Sequence, residues 1–244
     1  MRHYHEGPEV SLKADASPVT AADHDAEAIL LAALKTLAPL IPVVSEEYAG
    51  DRSKALPGRF FLVDPLDGTK EFIQKRTDFT VNVALIENGT PRFGLVYAPA
   101  RKLLAVTTDS GTVIEATLEP DKAGVDLGKL EHRTLRVRTP SPEGLVAVVS
   151  RSHLDAETET FLSGLKIASR SDAGSSLKFL LVASGQADVY PRFGPTMEWD
   201  IAAGDAVLRA AGGRVVDAKG EPFRYGKTEQ GLKNGSFIAW GSPA

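Results

Sequence analysis

The sequence predicts an α+β protein, and three features of its patterning carry that assignment. Ala22, Ala26, Ile29, Leu30, Ala33, Leu34 and Leu37 recur at helical spacing with polar residues between them. From Phe79 to Ala116, strand-like segments follow one another across short turns, as in an antiparallel meander. Beyond Thr139-Pro140-Ser141-Pro142 the pattern changes to apolar strands alternating with helical stretches, so the expected subdomains are 1–139 and 140–244.

Met1 to Pro8 lacks periodicity and is expected to be a loose tail, with His3 and His5 solvated. Thr20 and Asp23 form the T-x-x-D arrangement of a capped helix start, a favourable position for negative charge. That alone explains Asp23 structurally. Val43-Val44 is a short strand ending in Ser45-Glu46-Glu47, and Phe60-Phe61-Leu62-Val63 is a buried strand ending in Asp64-Pro65-Leu66-Asp67-Gly68-Thr69. Phe79 to Ile86, Phe93 to Tyr97, Leu103 to Thr107 and Thr112 to Ala116 form the meander, turning at Glu87-Asn88-Gly89, Pro99 and Ser110-Gly111. Residues 117–133 are polar and irregular, and Leu135 to Arg138 is expected to form a further strand.

In the second half, Leu145 to Val149 is a strand and Asp155 to Leu162 a helix ending at Gly164. Gly174-Ser175-Ser176 introduces a helix from Leu177 to Ala183, closed by Ser184-Gly185. Asp200 is expected to open a helix reaching Ala211, where an aspartate is a natural N-cap. Arg214 to Val216 and Ser236 to Trp240 complete the strands.

The chain has 244 residues, 43% hydrophobic and 25% charged, with a net charge of −4. Such a balance gives no support for a nucleic-acid polymer as partner. Absence of Cys excludes disulfides, thiolate-bound zinc and thiol catalysis, and fits a reducing cytoplasm. No apolar run spans a bilayer, and Met1-Arg2-His3-Tyr4-His5 does not resemble a signal peptide.

Chemistry concentrates in the two acidic strand ends. Asp64 and Asp67 lie three residues apart and repel each other unless a cation neutralises them. Pro65 restrains the turn, Gly68 permits geometry that a Cβ resists, and the N–H groups of Gly68 and Thr69 can form an anion nest. A turn whose aspartates only bond backbone N–H groups is the plain alternative. If Glu46, Asp64, Asp67 and Asp200 converge, the donor set is all oxygen, which favours Mg²⁺ or Mn²⁺ over zinc. Paired ions suit phosphate-monoester hydrolysis, where rate enhancements reach ~10²¹. Haloacid-dehalogenase-type phosphatases use D-x-D-G-T with an aspartyl nucleophile, but here the spacing is one residue longer and proline follows the first Asp. Activated water is therefore preferred to a phosphoenzyme.

Three signatures together resemble the inositol monophosphatase superfamily: Ser45-Glu46-Glu47, Asp64-Pro65-Leu66-Asp67-Gly68-Thr69 and Trp199-Asp200-Ile201-Ala202-Ala203-Gly204. The match runs from Lys13 nearly to the C-terminus. Lys70-Glu71-Phe72, Ser150-Arg151-Ser152-His153, Gly174-Ser175-Ser176-Leu177-Lys178-Phe179 and Tyr190-Pro191-Arg192-Phe193 resemble its branch of CysQ-type 3'(2'),5'-bisphosphate nucleotidases. The resemblance implies a layered α/β/α/β/α sugar-phosphatase fold, and Mg²⁺ as cofactor in two or three copies. It implies Glu46, Asp64, Asp67, Asp200 and the Leu66 carbonyl as metal ligands, with Asp23, Thr69 and Glu46 catalytic. Substrate contacts are expected from these acids and from Gly68, Thr69, Lys70, His153, Ser175, Ser176, Lys178 and Arg192.

The implied reaction converts adenosine 3',5'-bisphosphate to AMP and phosphate in sulfate assimilation, with lithium inhibition expected by analogy. An inositol- or fructose-type sugar phosphatase is the second reading, and a noncatalytic nucleotide- or metal-binding protein the third. A homodimer, and a peripheral station at the inner face of the cell membrane, are left open. Family members carry a helix before the Lys13 segment. Either the start given lies downstream of the natural one or that helix is missing, which would expose apolar surface.

Overall fold

The computed structural model describes residues 1–13, 17–47, 54–120, 122, 124–150 and 155–242. Met1 to Pro8 is not a loose tail. Arg2–Glu6 forms a short helix, α1, whose Tyr4 ring lies 5.6 Å from Phe72 and 5.2 Å from Phe79. Aromatic packing orders this segment despite its missing periodicity. His3 is likewise engaged, its Nε2 2.7 Å from the Asp25 carboxylate. The exposed strand β1 (Val10–Leu12) pairs antiparallel with the largely buried β2 (Pro18–Thr20), which leads into α2 (Ala21–Leu37), beginning with the expected capping box of Thr20 and Asp23.

One sheet has seven strands in sequence order: β3 (Val43–Ser45), β4 (Arg59–Asp67), β5 (Thr80–Glu87), β6 (Thr90–Ala98), β7 (Leu103–Thr107), β8 (Val113–Thr117) and β9 (His132–Thr134). β3 and β4 are parallel and every other pairing is antiparallel. A five-residue helix, α3 (Thr69–Ile73), follows β4. The β5–β6 turn has positive φ at Asn88 (49°) and Gly89 (74°), the geometry its Asn-Gly pair predicts. The strand expected at Leu135 to Arg138 is absent. Pairing instead takes His132–Thr134, while Leu135 is buried in the core as extended chain.

The second sheet comprises β10 (Leu145–Ser150), β11 (Ile167–Ala173), β12 (Val189–Arg192), β14 (Arg214–Asp217) and β16 (Phe237–Trp240), ordered β11-β10-β12-β16-β14. β11 escaped the sequence reading because Ser169, Arg170, Ser171 and Asp172 are exposed and polar. Around this sheet lie α4 (Ala156–Ser163), α5 (Leu177–Ala183) and α6 (Glu198–Ala210); β13 (Thr196–Met197) and β15 (Lys233–Asn234) pair with each other.

Burial defines five layers. Phe61 and Val63 on one face of β4 pack on Leu30 and Leu34 of α2. Phe60 and Leu62 on the other face join Ile201, Val207 and Leu208 of α6 and Phe179 of α5, which in turn meet Tyr190 and Phe237 of the second sheet. The opposite face of that sheet packs Val149 and Val189 against Leu162 of α4. The order is α/β/α/β/α, as expected. The central layer is tight: a Cβ at Gly94 on β6 would lie 2.5 Å from the Ala203 carbonyl oxygen. On the outer side, α2 leaves Ile29 and Leu37 exposed, and Leu40 follows them.

Candidate active site

Asp64 and Asp67 end β4, and on a regular strand residues three apart face opposite sides. Here Asp64 pairs with Asn82 and Asp67 with Thr80, so three steps on β4 oppose two on β5. That one-residue bulge returns both carboxylates to one face, where Asn82 and Thr80 also point. Asp64 Oδ1 accepts the Leu66 N–H (3.0 Å), and Asp67 Oδ2 accepts Ser175 Oγ–H (2.6 Å) and the Asn82 amide (3.3 Å). Gly68 then takes φ 92°, ψ 42°, where a Cβ would lie 3.1 Å from the Asp78 carbonyl oxygen. With Gly68 left-handed and Thr69 helical, successive N–H groups have the alternation of an anion nest.

Asp23 is 1% exposed and divides its two oxygens between structure and site. Oδ2 accepts the Thr20 N–H (2.8 Å) and hydroxyl (2.7 Å), completing the helix cap. Oδ1 accepts the Thr69 hydroxyl (3.3 Å), which also approaches the Leu66 carbonyl oxygen (3.3 Å). Asp23 therefore caps α2 with one oxygen and reaches Thr69 with the other.

Asp200 is at the third position of α6 rather than its N-cap. Met197 is the N-cap, and its N–H donates to Asp200 Oδ2 (2.7 Å). The N-cap lies three residues earlier than expected, which leaves Asp200 reaching back over the helix start. Burial first, then the charges of Asp67 and Glu46, raise the Asp200 carboxyl well above the usual range, against the Met197 hydrogen bond. Asp64 is raised likewise, first by burial and then by Glu46, Asp67 and Asp200. Four acids from β3–β4, α6 and their connections thus share one electrostatic field.

Their oxygen-only chemistry fits a hard divalent cation, whose charge would relieve this repulsion. Among the described residues no three acidic or imidazole groups close into a ready coordination cluster. Glu46 instead accepts Lys13 Nζ (2.7 Å), which also reaches Glu47 (2.6 Å), while Asp67 and Asp200 hold the partners named above.

Glu46, Asp67, Gly68, Thr69, Lys70, Ser175, Lys178, Arg192 and Asp200 line one cleft of about 300 Å³, at the small end for a ligand site. Lys178 is 5% exposed and Arg192 7%, so both are embedded cations rather than solvated ones. Lys178 Nζ donates to the Ser175 carbonyl (2.5 Å) and lies 5.2 Å from the Tyr190 ring centre. Burial pushes its ammonium down to about 8, against the nearby Asp67 charge. Ser176 Oγ donates to the Asp200 carbonyl (2.8 Å) and accepts from Asn82 (3.0 Å). His153 lies outside the described residues.

Sequence reading missed Lys13, Asp78, Thr80 and Asn82. For the last three a signal existed: polar residues occupy every second position of an otherwise apolar strand, which marks one face as functional.

Comparison with known proteins shows the family of the chain. A model of the inositol monophosphatase family matches residues 2–239. The 3'(2'),5'-bisphosphate nucleotidase CysQ of Shigella flexneri is 46% identical over 232 residues, covering 95% of this chain and 89% of that protein. Its counterpart in Escherichia coli K12 is 45% identical with the same coverage. The crystal structure of CysQ from Bacteroides thetaiotaomicron superposes with a TM-score of 0.82 and 38% identity, covering 100% of this chain and 92% of that one.

Proposed function

Because the chain belongs to the inositol monophosphatase family, we propose that it is a 3'(2'),5'-bisphosphate nucleotidase. It removes the 3'-phosphate of adenosine 3',5'-bisphosphate, giving AMP and phosphate, and recycles that nucleotide during sulfate assimilation. The observation that carries the reading is one cleft lined both by the acids Glu46, Asp67 and Asp200 and by the embedded cations Lys178 and Arg192. Such a cleft suits a substrate with two separate phosphates, one transferred and one only held. Identity of 46% to a CysQ nucleotidase across 95% of the chain supports the choice of nucleotide.

Phosphatases of this family are metal-dependent. Glu46, Asp64, Asp67, Asp200 and the Leu66 carbonyl would hold Mg²⁺, which when bound supplies phosphoryl charge neutralisation and a more acidic water. The protein's own groups do the rest. Thr69 donates its one hydroxyl proton toward Asp23 and Leu66 O, so its oxygen can accept a hydrogen bond from the attacking water. As the water gives a proton to Thr69 Oγ, Thr69 passes its own proton to the Asp23 carboxylate. Gly68 and Thr69 N–H groups hold the transferred phosphate, and the leaving 3'-oxygen takes a proton from solvent water as the P–O bond breaks. Lys178 and Arg192, with exposed Lys70 at the mouth, hold the second phosphate. Ser175 orients the Asp67 carboxylate, and Ser176 holds the Asp200 main-chain carbonyl.

Phosphate release from adenosine 3',5'-bisphosphate, inositol 1-phosphate and fructose 1,6-bisphosphate, each with Mg²⁺ and with EDTA, tests the proposal. The bisphosphate nucleotide is expected to give the highest kcat/KM, lost in EDTA. Preference for inositol 1-phosphate would move the protein to the sugar phosphatases, and no turnover at all would make it a binding protein.

A further inference from the structure

We infer that Asp78 is a positioning residue of this site, acting through the Gly174–Ser175 turn on both Asp67 and Lys178. Asp78 precedes β5 and is 2% exposed. Its Oδ2 accepts the Gly174 N–H (3.1 Å), and its Oδ1 pairs with Arg101. Packing reinforces the hydrogen bond, since a Cβ at Gly174 would lie 2.8 Å from the Asp78 carbonyl oxygen and 2.9 Å from its Cβ. Turn and carboxylate therefore move together.

The turn has to be held, because Ser175 has φ 53°, a left-handed conformation that side chains other than glycine resist. What that conformation achieves is specific. It directs Ser175 Oγ to Asp67 Oδ2 (2.6 Å), to the Asp67 carbonyl (3.1 Å) and to Thr80 Oγ1 (2.5 Å), while the Ser175 carbonyl receives Lys178 Nζ (2.5 Å). One backbone turn thus aims the acid proposed to hold metal and the cation proposed to hold the second phosphate. Asp78 clamps it from the far side. Arg101, partly exposed, compensates the buried carboxylate and fixes its orientation.

The inference rests on the nucleotidase reading and is tested so that the two fail separately. Mg²⁺ affinity is measured by calorimetry, below the unfolding temperature, on wild type, Asp78→Asn, Asp78→Ala and Arg101→Gln, alongside KM for adenosine 3',5'-bisphosphate. Loss of an orienting partner of a metal ligand typically costs 10–100-fold in affinity, so Asp78→Ala should weaken Mg²⁺ binding by about 10-fold or more and raise KM. Asp78→Asn keeps an acceptor for Gly174 and should fall between it and wild type, and Arg101→Gln should shift both quantities in the same direction. If Asp78→Ala does not fold, Arg101→Gln decides. A folded Asp78→Ala or Arg101→Gln protein with wild-type Mg²⁺ affinity and KM overturns the inference, whatever its Tm. Wild type that neither binds Mg²⁺ nor turns over any substrate overturns the nucleotidase reading instead.

Discussion

Gly94→Ala isolates the link between core packing and chemistry. Position 94 lies on β6 beneath α6, the helix that carries Asp200. The new methyl would meet the Ala203 carbonyl oxygen at 2.5 Å and the Ala206 Cβ at 2.6 Å, atoms of a helix that has no side-chain freedom to yield. Restoring ordinary contact requires α6 to lift from the sheet by roughly 0.8–0.9 Å. Overpacking of this kind costs about 1–3 kcal/mol, a Tm loss of roughly 2–12 °C for a chain of this size. Asp200 would move with the helix, away from Asp64 and Asp67 on β4, and a misplacement near 1 Å can cost on the order of 10²-fold in rate. The assays are thermal unfolding and kcat/KM, with Gly235→Ala as control because its Cβ would meet nothing within 4 Å. Wild-type kcat/KM together with a Tm within about 1 °C of wild type in Gly94→Ala would refute the claim that this close approach sets the position of Asp200.

Three further outcomes are expected. Asp23→Asn should lower kcat by roughly 10²–10⁴-fold with little change in Tm, since its amide oxygen still caps α2, whereas Asp23→Ala should also lose about 0.5–2 kcal/mol of stability. Lys178 carries its charge below about 8 and loses it above, so KM for the bisphosphate should rise as pH passes that value; Lys178→Ala should flatten the profile and raise KM more for the bisphosphate than for a monophosphate, and an unchanged profile would remove Lys178 from substrate binding. The Asp200 carboxyl is raised in the folded protein, so the folded state binds more protons than the unfolded chain above 3.8, and stability falls as pH rises through the raised value. In EDTA, Asp200→Asn should therefore gain Tm over wild type at pH 7.5 more than at pH 5, and Mg²⁺ should stabilise wild type but not the variant; an equal difference at both pH values would contradict the repulsion described here.

Much of the fold was legible because strong periodicity and turn chemistry act locally. The α2 repeat, its Thr20–Asp23 cap, the Asn88-Gly89 hairpin and the strands at Leu103–Thr107 and Leu145–Ser150 all appear within a residue or two of their expected places. The departures have identifiable causes. α1 is held by a distant aromatic pair, Phe72 and Phe79, that local patterning cannot reveal. β11 is a polar strand stabilised by parallel pairing with β10, so its side chains carry no apolar signal. Aspartate is favoured at the N-cap, yet Asp200 at the third helical position still bonds the Met197 N–H.

For the site, residue types and their order along the chain were enough to specify the acids, the glycine turn and the hydroxyl of Thr69, because that chemistry depends on composition at short spacing. Only the tertiary structure decided how they are aimed. A one-residue bulge turns Asp64 and Asp67 to the same face, Asp23 splits its oxygens between a helix cap and Thr69, and the Gly174–Ser175 turn ties Asp67 to Lys178 across 111 positions of sequence. Orientation of this kind arises from backbone register and close packing between separate segments, and no local pattern encodes which distant backbone will supply the restraint.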